Sequence, residues 1–129
     1  MKRNMSLSFL ALALFAAAGA HALELDASEA ARIRFLVASV ETLQGATFVR
    51  NGREYDARAA SSHLQRKLKY AGSRVRTAED FIALCGSKSS VTGEPYLIRL
   101  ADGTTVKTEA FFRKKLRAFT AGMPQPGAR

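Results

Sequence analysis

The dipeptide Asn51-Gly52 constrains the fold of this chain more than any other pair of residues. A two-residue type I′ turn needs positive φ at both central positions, which Asn and Gly tolerate best. Asn51-Gly52 therefore joins Thr47-Phe48-Val49-Arg50 to Arg53-Glu54-Tyr55 in a hairpin and sets its register. Arg50 faces Arg53, Val49 faces Glu54 and Phe48 faces Tyr55. Because strand side chains alternate between faces, Phe48, Arg50, Arg53 and Tyr55 share one of them. Like charges directly opposite across a ladder are unfavourable, so the two arginines either splay into water or hold an anion.

The hairpin feeds directly into a helix. The Asp56 carboxylate can accept from free amides of the first turn, so the helix is predicted to start at Ala57. Ala57, Ala60, Leu64, Leu68 and Ala71 recur at helical spacing as an apolar stripe, and Gly72 is the natural stop. His63 and Lys67, four residues apart, are neighbours at the edge of that stripe.

Upstream, Met1-Lys2-Arg3-Asn4 precedes an apolar run from Met5 to Ala20, and Ala20-His21-Ala22 places small residues where a signal peptidase reads them. Residues 1–22 are expected to be a signal peptide cleaved after Ala22. The apolar run is shorter than the ~20 residues of a spanning helix, and no second run exists, so the mature chain is expected to carry no transmembrane segment. The remaining residues suit one domain, expected over 23–122, with a flexible tail at 123–129 around Pro124, Pro126 and Gly127. With 20 Lys and Arg against 11 Asp and Glu, a net charge of +9, the chain stays basic after losing Lys2 and Arg3. An exported cation is expected to meet an anionic envelope polymer or an envelope protein rather than nucleic acid. Cys85 is the only cysteine, and His63 is the only histidine left once His21 is removed, so neither a disulfide nor a metal site is expected. No cofactor motif is present.

The rest of the chain reads as further helices and a second hairpin. Asp26-Ala27-Ser28-Glu29 is an acidic capping box, with Asp26 capping and Glu29 reaching back, for a helix to about Gln44 that carries Ile33, Leu36, Val37 and Val40 on one side. Thr77 and Asp80 cap a short third helix whose apolar side is Phe81, Ile82, Leu84 and Cys85, with Gly86 ending it. Cys85 is expected to be a buried small hydrophobe. Residues 87–95 form a hydroxyl-rich loop ending in Pro95. Tyr96 to Leu100 and Thr104 to Val106 are expected strands about the Asp102-Gly103 turn. Thr108 caps a last helix with Phe112, Leu116 and Phe119 inward and Gly122 at its end. The expected fold is α+β: a small antiparallel sheet from two β-hairpins, packed with about four helices in the order α-ββ-α-α-ββ-α.

Several of these segments carry a resemblance. Phe48-Val49-Arg50-Asn51-Gly52, Tyr55, Ala60, His63-Leu64, Lys67, Thr77-Ala78-Glu79-Asp80-Phe81-Ile82 and the run from Ser89 to Tyr96 resemble the motif series of the YfeK-like family, small exported bacterial proteins of unknown function. The resemblance spans about Ile33 to Leu116. It implies an exported, periplasmic domain with no assigned activity. The chain departs from the family pattern at Cys85-Gly86, where small residues such as Ala-Ser are expected, and at Glu94, where a lysine is usual.

From the residues, the candidate binding set is Arg50, Asn51, Tyr55, His63, Lys67, Ser89, Ser90, Gly93 and Tyr96, read as one polar patch of a non-catalytic binding or accessory protein. The competing reading of the same residues makes Tyr55 and Tyr96 core aromatics, has His63 hydrogen-bond a nearby backbone carbonyl, and has Ser89 and Ser90 satisfy loop amides. The alternative function is a small hydrolase or transferase using Ser89 or Ser90 with His63 or Lys67, although the chain holds no nucleophile elbow or Ser-x-x-Lys motif. A structural stabiliser docking on an envelope protein is a third.

Overall fold

The computed structural model describes residues 25–123, so the signal peptide expected over 1–22 and all but the first residue of the expected tail lie outside the described residues. Helix α1 spans Ala27–Glu41, strands β1 Thr47–Arg50 and β2 Arg53–Tyr55 form the first hairpin, and α2 covers Ala57–Ala71. Helix α3, Ala78–Phe81, runs into a π-type turn over Ile82–Gly86; β3 Leu97–Arg99, β4 Thr105–Lys107 and α4 Thr108–Ala121 complete the fold. The architecture is α+β, as the turn and capping signals predict.

Turn chemistry explains the first hairpin. Asn51 has φ +51° and Gly52 φ +75°, and the register pairs Phe48 with Tyr55, Val49 with Glu54 and Arg50 with Arg53. Two separate hairpins would each be marginal in water. Here they join through β1 and β3 into one antiparallel sheet of order β2-β1-β3-β4. Phe48 pairs with Ile98, and Ile98 with Val106. Tyr55, Phe48, Ile98 and Val106 therefore form one row across the sheet, turned toward the helices and packed with Ile33, Leu36, Val40, Leu64, Phe81 and Phe112 in one cluster. The opposite face carries the exposed Arg99–Glu54 ion pair at 2.9 Å, a class of contact worth about 0–1 kcal/mol.

The helix starts follow their caps. Asp56 accepts from the Ala59 amide at 2.7 Å, and Thr77 with Asp80 closes a full capping box. Asp26 accepts from the Ser28 amide at 2.8 Å. Glu29 does not reach back as expected: one of its oxygens pairs with Arg32, and the other accepts from the Ala78 amide at 2.7 Å. Ala78 is buried, so its amide needs a protein partner at the start of α3, and a carboxylate from α1 supplies a charge-assisted bond. Helix α1 stops at Glu41 rather than Gln44: the Thr42 amide still makes a regular helical bond to the Ala38 carbonyl, but the Leu43 amide closes a tighter turn onto the Val40 carbonyl at 3.2 Å.

Leu84 is 42% exposed instead of inward. The π-type turn moves the inward positions one residue along, so Cys85 and Gly86 take the buried side. A Cβ at Gly86 would lie 2.6 Å from the Phe112 ring, so glycine is what lets that ring close over the turn. Phe119, expected in the core, is half-buried and stacks on Phe35 at a centroid distance of 4.6 Å. Thr108 is likewise not a cap. Strand β4 runs straight into α4 with Lys107 at the N-cap position, and Thr108 is the first helical residue. Two residues after the inward Val106, its side chain is buried and Oγ1 finds no partner among the described residues.

Candidate functional site

The row of the sheet beyond Phe48 and Ile98 builds the site. Continuing the β1–β3 and β3–β4 registers by one inward position sets Tyr96 between Arg50 and Thr108. The Thr108 amide donates to the Tyr96 carbonyl at 2.9 Å, in keeping with that alignment. Helix α2 lies over this row, because Asp56 joins it to β2 without a linker, and brings His63 and Lys67 down onto the tyrosine.

Arg50 Nη2 donates to the Tyr55 hydroxyl at 3.1 Å, and its guanidinium lies 5.2 Å from the centre of that ring. Arg50 Nη1 lies 3.3 Å from His63 Nδ1 and 3.5 Å from Nε2. A guanidinium only donates, so the nearer ring nitrogen, Nδ1, must present its lone pair. This assigns the proton to Nε2, which donates to the Tyr96 hydroxyl at 3.2 Å. Lys67 Nζ donates to the same hydroxyl at 3.1 Å and to the Lys88 carbonyl at 3.0 Å. With both lone pairs of Tyr96 Oη engaged, its own proton is free to be donated elsewhere.

Electrostatics keep the imidazole neutral. Burial first, then the charges of Arg50, Lys67 and Arg66, lower the His63 pKa from 6.5 to about 4. The Arg50 hydrogen bond lowers the Tyr55 pKa. Among the described residues neither Arg50 nor Lys67 forms an ion pair. The cluster thus presents two cations and two hydroxyl groups with no carboxylate to neutralise them.

The loop after α3 is latched beside the hairpin tip by Asn51. Its amide nitrogen donates to Ser89 Oγ at 3.2 Å, and its carbonyl oxygen accepts from the Thr92 hydroxyl at 2.6 Å. Ser89 Oγ also accepts from the Val91 and Thr92 amides, both at 3.3 Å. The buried Ser89 hydroxyl is thereby committed to holding the loop. No hydrogen bond among the described residues joins Ser89 or Ser90 to His63 or Lys67. The structure therefore brings Arg50, Tyr55, His63, Lys67 and Tyr96 into one cluster, with Asn51 and Ser89 as the adjoining latch. Ser90 and Gly93 lie exposed on the loop, with the Gly93 amide bonded to the Ser89 carbonyl at 2.9 Å.

Beside the cluster a cavity of about 140 Å³ opens between the sheet and α2, with Val40, Phe48, Ala60 and Leu64 on its apolar side and Arg50 and Tyr96 at its polar side. Arg66, Ser62 and Thr108 also line it, and the sequence reading missed all three. For Thr108 a signal was available: it stands two residues after the inward Val106, so strand alternation alone directs it to the same face. Among the described residues no three His, Cys, Asp or Glu side chains are grouped to hold a metal ion, and no helix is long and apolar enough to cross a membrane.

Comparison with known proteins finds a match over residues 27–120 to the model of a family of unknown function, DUF5329. The chain is also 42% identical over 71 residues to the uncharacterized protein YfeK of Salmonella typhimurium strain LT2, covering 55% of this chain and 59% of that protein. The match thus spans less than two thirds of that relative. No solved structure matches.

Proposed function

The chain belongs to DUF5329, a family of unknown function, and from that premise we propose that it is an exported, non-catalytic binding domain of the cell envelope whose Arg50–His63–Tyr96–Lys67 cluster holds an anionic group. The observation that carries this reading is the meeting of Arg50 and Lys67 around a neutral histidine with no carboxylate in contact. Unpaired cations this close raise one another's energy, and an anion relieves that cost while accepting the free protons of Tyr96 and Arg50. A basic chain with an N-terminal charged and apolar segment ending in Ala20-His21-Ala22 supports export. N-terminal sequencing of material recovered from the envelope fraction should begin at Leu23; retention of Met1 would count against export.

The binding reading is tested by retention on immobilised dextran sulfate over a salt gradient. Arg50→Gln and Lys67→Gln remove charge but keep a donor, so both should elute at lower salt with stability within about 1 kcal/mol of the parent. Lys114→Gln, on an exposed position of α4, makes the same change of net charge outside the cluster. If it weakens retention as much as the other two, the attraction is diffuse and the site reading fails.

A further inference from the structure

The cluster alone would accept almost any anion, but the cavity beside it adds a definite size and a largely apolar lining. Its volume, about 140 Å³, is close to the roughly 150 Å³ at which an apolar protein cavity takes up a single benzene. Its lining mixes Val40, Phe48, Ala60 and Leu64 with Arg50 and Tyr96 and contains no Asp or Glu. Arg50 uses only Nη1 and Nη2 in the contacts described, and a guanidinium carries five N–H donors in a planar fork. That fork suits the planar, bidentate carboxylate.

Resting on the anion-binding reading above, we infer that this site takes a small amphipathic monocarboxylate, with its acid group on Arg50 and Tyr96 and one ring-sized apolar group in the cavity against Val40, Phe48, Ala60 and Leu64. The arrangement is the usual one for small-molecule sites, a mostly apolar concavity with a few convergent polar groups that fix orientation. It also sets an upper limit on the ligand. A second fused ring would have to extend through the cavity mouth into water and gain little from burial, whereas an acid without an apolar body gains only the electrostatic part of the interaction.

Calorimetry and NMR on the purified protein with benzoate, acetate, benzyl alcohol and 2-naphthoate as probes test this. Benzoate should bind at least tenfold tighter than each of the other three and shift the Tyr96 and His63 resonances. Arg50→Gln should weaken benzoate about tenfold or more. Ala60→Leu, a substitution at a half-buried position of the cavity wall, should abolish benzoate binding while leaving dextran sulfate retention intact. Acetate binding as tightly as benzoate, or Ala60→Leu binding benzoate like the parent, overturns the inference. Should Ala60→Leu not fold, the probe series on the unaltered protein decides alone. A flat probe series with dextran sulfate retention that still depends on Arg50 overturns the cavity assignment and spares the anion reading; loss of both overturns both.

Discussion

Lowering the pH should destabilise this protein through His63 before the carboxylates of Asp26 and Asp102 respond. In the unfolded chain the imidazole takes up a proton near 6.5, whereas in the fold it resists protonation down to about 4, because it is partly buried and faces Arg50, Lys67 and Arg66. Between those values the unfolded state holds the extra proton, so stability is complete above pH 6.5, falls as the pH drops, and levels off below about 4. At about 1.36 kcal/mol per pH unit the loss is bounded at roughly 3–4 kcal/mol, and solvent screening of a half-buried ring reduces this to about 1–2 kcal/mol. The carboxylates of Asp26 and Asp102 have pKa values below 3.8 and so act in a more acid window. His63→Gln keeps an acceptor for Arg50 and a donor for Tyr96 but cannot take the proton. Urea unfolding of both proteins from pH 7 to 4 should show the parent losing roughly 1 M more in midpoint than the variant. Parallel midpoint curves would refute the reasoning, as would an NMR titration placing the resonance that His63→Gln deletes near 6.5.

Other substitutions report on particular contacts. Ser89→Ala leaves the Val91 and Thr92 amides and the Asn51 amide without their common acceptor, so it should cost about 1–3 kcal/mol in denaturant unfolding. Gly86→Ala forces a methyl group against the Phe112 ring and should cost about 1–3 kcal/mol by thermal unfolding. Thr108→Val replaces a buried hydroxyl that has no partner by a group of the same shape, and should raise stability by up to about 1 kcal/mol in the same assay. Cys85 is fully buried, and burial raises its pKa, so a thiol reagent should leave it unmodified until denaturant is added.

Both pairs at the heart of the site are legible in the sequence. Strand alternation around Asn51-Gly52 puts Arg50 and Tyr55 on one face, and helical spacing makes His63 and Lys67 neighbours; each follows from dihedral preference and side-chain period within a few residues. The caps at Asp56 and Thr77 and the turn at Asp102-Gly103 are local in the same sense. The chain by itself thus determined most of the elements, their order and, on the first hairpin and α2, which side chains share a face, because those are short-range matters of φ, ψ and periodicity. Only the tertiary structure decided that β1 pairs with β3, which sets Tyr96 between Arg50 and Thr108 and beneath α2. It likewise decided that Glu29 caps a distant helix and that a π-type turn admits Phe112. These outcomes depend on which buried amide lacks a partner and which ring fills a gap. Partners and gaps of that kind exist only once segments far apart in the chain have packed together.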